Sequence, residues 1–319
     1  MKKYLILSVS ILLLICFTIS AVADEFAPTF GIDVSVFQGD VDWGKVANTD
    51  TEFAILRIGY NDNQDAQFLN NYKNAKAAGI PVGAYMYSYA VTEEAAIEEA
   101  NIVLERIKGM QFEYPIYLDI EDGKLLKEEH NLTKEQRTKN ALAFVRTMQN
   151  NGYYVGIYSN PYWFDTYLDV EKIQSECETW IAHYNDTYDY SNTAYGMWQF
   201  TDQGTVDGIT VNTVDLNICY KDYPSIIKNG GYNGYEKPKD NLLEPTGVKG
   251  DIDATGERNL VDLVVLSQYV AEWKGISYVQ SELNVNEDSE GNIDLTDVIA
   301  LSQIIAGWEV EFNSSKSAS

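Results

Sequence analysis

Short apolar runs alternate with amphipathic stretches from residue 26 to about residue 223. The runs are rich in β-branched and aromatic residues, which is typical of buried strands. They cover residues 30–36, 53–59, 81–89, 115–121, 153–159, 179–184, 195–200 and 214–220. Apolar residues at helical spacing lie between the earlier runs, at about 65–78, 92–108, 134–150 and 161–175. Because alternating strands and helices favour a parallel sheet, and eight strands favour closure, the pattern predicts an α/β barrel.

The connectors between the last three predicted strands are too short and too polar for full helices. We therefore expect an irregular (β/α) barrel with eight strands and fewer than eight helices. In such barrels the active site lies at the C-terminal ends of the strands.

The first 23 residues have the organisation of a secretory signal peptide. Lys2 and Lys3 precede an apolar run, and Ala21-Val22-Ala23 supplies the small residues that a signal peptidase requires. A membrane anchor is the alternative, but the run is short and no basic stop follows it. We expect a secreted, extracellular protein that has no membrane association after cleavage.

Composition changes after the barrel, which we place at residues 24–228. Residues 229–247 are rich in glycine and proline, which predicts a linker. Residues 248–310 form a predicted small all-α domain, and the serine-rich residues 311–319 are expected to be disordered.

The small domain contains an internal repeat with a constant offset of 35 residues. The identical pairs are Asp253 and Asp288, Gly256 and Gly291, Asp262 and Asp297, Leu266 and Leu301, Ser267 and Ser302, Gln268 and Gln303, Ala271 and Ala306, and Trp273 and Trp308. Each copy also has the pattern of a twelve-residue calcium loop, with oxygen-bearing residues at alternate positions and a glycine at the turn.

The loop ligands predicted from this pattern occupy positions 1, 3, 5, 7, 9 and 12. In the first copy they are Asp251, Asp253, Thr255, Glu257 through its carbonyl, Asn259 and Asp262. In the second they are Asn286, Asp288, Glu290, Asn292 through its carbonyl, Asp294 and Asp297. The sequence thus predicts two Ca²⁺ ions.

The charge of the chain argues against nucleic-acid binding, whereas its cysteine content leaves the disulfide state open. The chain has 48 acidic and 23 basic residues and a formal net charge of −25, whereas nucleic-acid binding requires a basic surface. After signal cleavage only Cys177 and Cys219 remain, and a disulfide and two buried thiols are both compatible with the sequence.

The strand at residues 115–121 carries two carboxylates in an otherwise apolar and aromatic segment. Because side chains alternate along a strand, Asp119 and Glu121 point to the same face, with α-carbons about 6.6 Å apart. Repulsion and lost solvation raise the pKa of at least one such acid, which makes it a usable proton donor near neutral pH. Two acids at the frayed end of a strand are the alternative interpretation. Asp33 and Asp215 are embedded in two further apolar strands.

The segment from about 28 to 222 resembles the family 25 glycoside hydrolases, secreted lysozymes that cut peptidoglycan after N-acetylmuramic acid. The matching motifs are GIDVS at 31–35, QG at 38–39, GAY at 83–85, YLDIE at 117–121, GIYS at 156–159, WIA at 180–182, WQ at 198–199, GI at 208–209 and VDLN at 214–217. The resemblance implies an α/β barrel, hydrolysis of a β-1,4 bond and catalysis without a cofactor.

The same resemblance implies roles for individual residues. Glu121 is expected to protonate the leaving oxygen, Asp119 to act as a second catalytic carboxylate, and Asp33 and Asp215 to complete the acidic cluster. Both an acid and a carboxylate are needed because glycosidic cleavage passes through an oxocarbenium-like state. Expected substrate-binding residues are Tyr85, Tyr87, Tyr158, Trp180, Trp198 and Gln199, although ordinary core packing is an alternative for each aromatic residue.

Residues 248–309 resemble dockerin domains, which attach secreted enzymes to cohesin-bearing scaffold proteins in cellulosome-like assemblies. The resemblance rests on both calcium loops and the helix after each loop. Two departures from the dockerin pattern imply weaker calcium binding at the first site, namely Arg258 where an aliphatic residue is usual and Thr255, which is a poorer ligand than aspartate. The resemblance implies a cohesin partner, whose choice is set in dockerins at the positions of Leu260-Val261 and Leu295-Thr296.

Two other functions fit part of the sequence. A barrel that has lost catalysis and only binds glycan would not need its four intact acids. Another acetamido-sugar hydrolase, such as a chitinase, would have a longer series of aspartates before Glu121, which this chain lacks.

Overall fold

The computed structural model describes residues 26–121, 123–127, 130, 132–191, 194–286 and 291–308. The predicted signal peptide and C-terminal tail lie outside the described residues. The chain divides into two compact units. The first comprises the described chain up to Ile227 together with the short segment Tyr232–Tyr235. Lys228–Gly231 and the chain from Glu236 onward belong to the second unit.

The first unit is built around a closed sheet. Its strands are β1 (Thr29–Val34), β2 (Phe53–Tyr60), β3 (Asn63–Gln64), β4 (Val82–Tyr87), β5 (Ile116–Asp119), β6 (Val155–Ser159), β7 (Glu178–Ala182), β8 (Met197–Gly204) and β9 (Val214–Cys219). Their order is β1-β9-β8-β7-β6-β5-β4-β2-β3, and pairing of β1 with β2 closes the barrel. The two-residue β3 only pairs antiparallel with the end of β2 and lies outside the closed ring, so the predicted eight-stranded barrel is confirmed.

Among the eight barrel strands, one departs from the parallel arrangement. Strand β9 runs antiparallel to both of its neighbours, β8 and β1. A parallel crossover needs a dozen or more residues, and the connection at 205–213 is too short for one. The chain therefore turns back, and β8 and β9 form a hairpin. This hairpin is the irregularity that was expected at the end of the barrel.

Seven helices lie between residues 43 and 230 of the described chain. They are α1 (Trp43–Val46), α2 (Phe68–Ala77), α3 (Glu93–Arg106), α4 (Lys134–Asn150), α5 (Pro161–Thr166), α6 (Val170–Gln174) and α7 (Tyr223–Gly230). With α8 (Leu260–Val270) and α9 (Leu295–Ile305) of the second unit, the described residues contain nine α-helices in all, of which seven lie in the barrel segment for which fewer than eight were expected. The helix predicted at 161–175 is divided in two, because the Asp169 side chain starts a new helix by accepting from the Lys172 amide.

The barrel interior is packed with aromatic rings. Phe53 stacks on Tyr114 with ring centroids 4.4 Å apart, and Trp180 contacts Tyr158 at the same distance. Gly31 makes room for this packing, since a Cβ there would lie 2.4 Å from the Phe53 ring. A filled interior leaves one end of the barrel for a site.

The second unit has a small core of its own. Its buried apolar residues include Ile252, Leu266, Leu283, Val285 and Leu301. No helix in the described part of the chain combines the length and apolarity needed to span a bilayer. In the first unit, Cys177 and Cys219 are both free thiols.

Candidate active site

A pocket of about 210 Å³ opens where the parallel strands end. It is lined by Asp33, Val34, Ser35, Phe37, Gln38, Arg57, Tyr85, Tyr87, Asp119, Glu121, Tyr158, Trp180, Tyr184, Gln199 and Asp215. Asp215 lies near the start of β9, whose antiparallel direction brings that start to the same edge as the C-terminal ends of the other strands.

All four acids expected from the sequence line this pocket. Asp33 and Asp119 are buried, with 3% and 4% of their surface exposed. Glu121 follows β5 and is half-buried, so its carboxyl lies nearer to solvent than that of Asp119.

Asp33 and Asp215 are directly opposite each other in the pairing of β1 with β9. Their side chains are hydrogen-bonded to each other. Burial, followed by the charge of Asp33, raises the pKa of Asp215 to about 9. Burial also raises the pKa of Asp33, although hydrogen bonds from Asn217 and Gln199 oppose the rise. Two like charges this close do not both form readily.

A network of amides and aromatic groups surrounds Asp33. Gln199 Nε2 and Asn217 Nδ2 each donate to Asp33 Oδ2 at 2.8 Å. Trp180 Nε1 donates to Asn217 Oδ1 at 2.9 Å. The hydroxyls of Tyr158 and Tyr184 donate to Gln199 Oε1 at 2.9 and 3.1 Å.

Five of the six residues expected to bind substrate line the pocket, and Trp198 does not. Trp198 neighbours Gln199 in β8, so alternation places it on the outer face. There its indole nitrogen donates to the His183 carbonyl at 2.7 Å and its ring packs against Tyr188. Trp180 is 1% exposed and forms the floor of the pocket, where it is not available for stacking along its full face.

Arg57 is a pocket residue that the sequence interpretation missed. Its Nε donates to Asp65 Oδ2 at 2.7 Å, and its guanidinium lies 4.8 Å from the centre of the Phe37 ring. The signal was available, because a charged residue inside the apolar run at 53–60 is as unusual as the embedded acids.

The rim residues Ser35, Phe37 and Gln38 were missed as well. Ser35 and Gln38 form a capping box around the short turn Val36–Gln38. Phe37 is 63% exposed at the pocket, although an aromatic ring of its size is usually covered. Tyr184, in the segment after β7, also lines the pocket and is 53% exposed.

In the second unit, the carboxylates of Asp251, Asp253 and Asp262 lie within 4.8 Å of one another. Asp262 accepts from the backbone amides of Ile252 and Asn259 at 2.6 and 2.7 Å, which orients both of its oxygens. The Thr255 hydroxyl donates to Asp253 Oδ1 at 2.8 Å and to the Glu257 carbonyl at 3.3 Å.

Other expected ligands have a second role at the start of a helix. Asn259 Oδ1 accepts from the Val261 amide and caps α8, and Asp294 caps α9 in the same way. In the second loop, Asp297 accepts from the backbone amides of Asn286 and Asp294 at 3.1 and 2.9 Å. Asn292 lies between them in the chain, whereas Asp288 and Glu290 lie outside the described residues.

The pocket supplies carboxyl groups in different environments. Asp33 is buried and bound by two amides, whereas Glu121 is only half-buried. A pair of this kind can donate a proton to one atom of a substrate while a carboxylate stabilises positive charge on another.

Comparison with known proteins gives one family match, in which residues 32–209 fit the sequence profile described as "Glycosyl hydrolases family 25". The chain is 31% identical over 196 residues to "Uncharacterized protein YegX" of Escherichia coli O157:H7, covering 59% of this chain and 68% of that protein. It is 25% identical over 193 residues to an "Autolytic lysozyme" of Clostridium acetobutylicum, covering 59% of this chain and 54% of the relative.

Among solved structures, the modular autolysin LytC of Streptococcus pneumoniae matches with a TM-score of 0.54 and 29% identity. The match covers 60% of this chain and 46% of that chain, so less than half of LytC is represented here. A second LytC structure contains a synthetic peptidoglycan ligand.

Proposed function

Since the chain belongs to the family 25 glycosyl hydrolases, its barrel is a muramidase-type glycoside hydrolase, and we propose that it cleaves the β-1,4 bond between N-acetylmuramic acid and N-acetylglucosamine in peptidoglycan. The observation that carries this proposal is the convergence of Asp33, Asp119, Glu121 and Asp215 in one pocket at the end of the barrel.

Glu121 is the proton donor in this proposal. Glu121 is less buried than Asp119, so it can reach a glycosidic oxygen that enters from solvent. Asp119 is 4% exposed at the end of β5 and supplies negative charge below the scissile bond. A fixed negative charge there stabilises the positive charge that develops on the sugar ring.

The tyrosines and Phe37 determine how a sugar is held. Burial and the charge of Asp33 raise the pKa of Tyr85 well above its ordinary value, so its phenol stays protonated and can donate to a sugar oxygen. Phe37 offers an exposed ring at the mouth of the pocket, where an apolar sugar face can stack.

The direct test is mass spectrometry of fragments released from purified peptidoglycan, with the Glu121→Gln variant as the matched control. Fragments with N-acetylmuramic acid at the reducing end support the proposal. Reducing N-acetylglucosamine ends would instead identify a glucosaminidase. Binding without release of fragments would identify a glycan-binding barrel that has lost catalysis.

We propose in addition that the second unit is a dockerin that binds two Ca²⁺ ions and attaches the enzyme to a cohesin module. Three carboxylates within 4.8 Å repel one another, and oxygen ligands at this spacing suit calcium. Asp251, Asp253 and Asp262 would hold the first ion, together with the Thr255 hydroxyl and the Glu257 carbonyl. Asn286, Asp294 and Asp297 would contribute to the second.

The equivalent residues Leu260 and Leu295 begin the two helices and are 63% and 67% exposed. Exposed apolar side chains at matching positions are suited to a protein partner. With the signal peptide expected at residues 1–23, this supports the proposal that the enzyme belongs to an extracellular, cellulosome-like assembly.

Binding of the full chain to a panel of cohesin modules, measured with calcium and with excess EGTA, tests this assignment. We expect calcium-dependent binding to at least one module and peptidoglycan hydrolysis that is unaffected by EGTA. Absence of any calcium uptake by the full chain in isothermal titration would overturn the dockerin proposal and leave the barrel proposal standing.

A further inference from the structure

The pair formed by the buried Asp33 and the half-buried Asp215 is asymmetric, because its amide donors converge on one partner. Both Gln199 Nε2 and Asn217 Nδ2 donate to the same atom, Asp33 Oδ2, at 2.8 Å. An NH₂ group can donate but cannot accept. The oxygen that receives both bonds is therefore the natural place for a negative charge.

Trp180 fixes the orientation of one of these amides. An indole N–H is a donor only, so the Asn217 atom facing Trp180 Nε1 at 2.9 Å must be the carbonyl oxygen. It follows that the NH₂ group of Asn217 faces Asp33. Asn217 is fully buried and Trp180 is 1% exposed, so this orientation does not depend on solvent.

We propose that Asp33 and Asp215 hold one proton between them, with the negative charge fixed on Asp33 by Gln199 and Asn217 and the proton on Asp215. Asp215 donates this proton in a hydrogen bond to Asp33 and is a positioning residue that acts through Asp33. Only the consequence for turnover rests on the proposed muramidase function.

Other charged and titratable groups face the pair from every side of the pocket. They are Arg57 from β2, Tyr85 from β4, Asp119 from β5, Glu121 after β5, Tyr158 from β6, Tyr184 after β7 and Asp202 from β8. Since Arg57 is the one basic group among them, a second negative charge on the pair would have little compensation. Burial, then the charge of Asp33, and more weakly the charges of Asp202 and Glu121 raise the pKa of Asp215 to about 9, in agreement with the geometry.

A single fixed charge has a consequence for the reaction. Two adjacent anions would repel each other and any charge on Asp119 and Glu121, whereas one anion at a defined oxygen offers the developing sugar cation a stable partner. Asp215→Asn retains a donor toward Asp33, because the introduced amide replaces the O–H group. Asp33→Asn removes the charge itself.

The test is ¹³C NMR of protein labelled at the aspartate carboxyl carbons, titrated without substrate. In the wild type at neutral pH we expect one protonated pocket aspartate, whose signal disappears in Asp215→Asn. Asp202→Asn is the matched control, because Asp202 faces the pair without replacing either partner, and there the signal should persist. Ionised carboxyls on both Asp33 and Asp215 at neutral pH would overturn the proposal, and so would a protonated signal that survives Asp215→Asn.

Asn217→Leu tests the amide donors. Loss of one hydrogen bond to a charged group should raise the pH at which Asp33 titrates by about 1–2 units. An unmoved titration would refute the role of Asn217. If this variant does not fold, Gln199→Met removes the other donor and has the same expected direction.

Turnover of peptidoglycan supplies a second readout. Asp33→Asn should lower kcat at least about tenfold more than Asp215→Asn, because only the first substitution removes the charge. Equal losses in the two variants would overturn the positioning role. The NMR titration uses no substrate, so a failure of the muramidase proposal would not be mistaken for a failure of this one.

Discussion

Breaking the buried ion pair of Arg57 and Asp65 should destabilise the protein by about 3–5 kcal/mol, the usual cost of leaving one buried charge without its partner. The side chain of Asp65 is fully buried and that of Arg57 is 10% exposed. Asp65 also accepts from the backbone amides of Val36 and Gln67 at 3.0 and 2.9 Å, so it anchors the rim that carries Phe37.

The double variant Arg57→Met/Asp65→Leu should recover much of this loss, because apolar side chains of similar volume carry no desolvation penalty. The two backbone amides remain without their acceptor, which costs about 1 kcal/mol each. We therefore expect the double variant to lie about 1–3 kcal/mol below the wild type, with a coupling energy of at least about 3 kcal/mol. Activity should stay low, because the rim has lost its anchor.

Urea denaturation of the wild type, both single variants and the double variant measures the coupling, with peptidoglycan hydrolysis followed in parallel. The exposed pair Lys139 and Glu135 on α4 is the matched control and should give no measurable coupling. Single-variant losses that add within about 0.5 kcal/mol would refute the reasoning, since independent sites behave in that way. Full recovery of hydrolysis in the double variant would refute the anchoring role.

Three other predictions concern catalysis, pH and calcium. Glu121→Gln should lower turnover by about 10²–10⁴-fold with an unchanged circular dichroism spectrum, and a loss below tenfold would remove Glu121 from proton donation. The folded-state pKa of Asp215, about 9, lies above its unfolded value of 3.8, so the native protein binds more protons between these values. The free energy of unfolding should therefore fall as pH rises through this window, and Asp215→Asn should flatten the dependence in urea melts; an unchanged slope would contradict the assignment. Calcium titration of the full chain should give two sites, and Asp262→Asn should remove one; two intact sites in that variant would exclude Asp262 as a ligand.

The sequence predicted the barrel and its acids because both depend on local pattern. Asp33, Asp119 and Asp215 are conspicuous in apolar strands, and strands of a barrel bring their ends together whatever the details of the connections. The direction of β9 depends on the length of the connection before it. Because β9 runs antiparallel, the start of this strand, and not its end, lies at the pocket.

The remaining site residues show two different limits of prediction from the sequence. Trp198 and Gln199 are neighbours in one strand, so alternation allows only one of them to face the interior, and the expectation for both could have been corrected from sequence. Tyr184 and Phe37 come from a loop and a short turn, where no periodicity predicts the direction of a side chain. Asn217 lies on the inner face two residues after Asp215, and its function depends on Trp180, which only the folded structure brings near.

The pairing of β1 with β9 also governs when the enzyme can first act during its own synthesis. Asn217 and Asp33, which meet in the pocket, are 184 residues apart in the chain. Contacts between such distant segments form late, because the loop between them must be closed first. A nascent or truncated chain that ends before β9 has neither Asp215 nor the strand that closes the barrel. Such fragments should be unable to degrade a cell wall, and the complete pocket arises only when the final barrel strand docks beside the first.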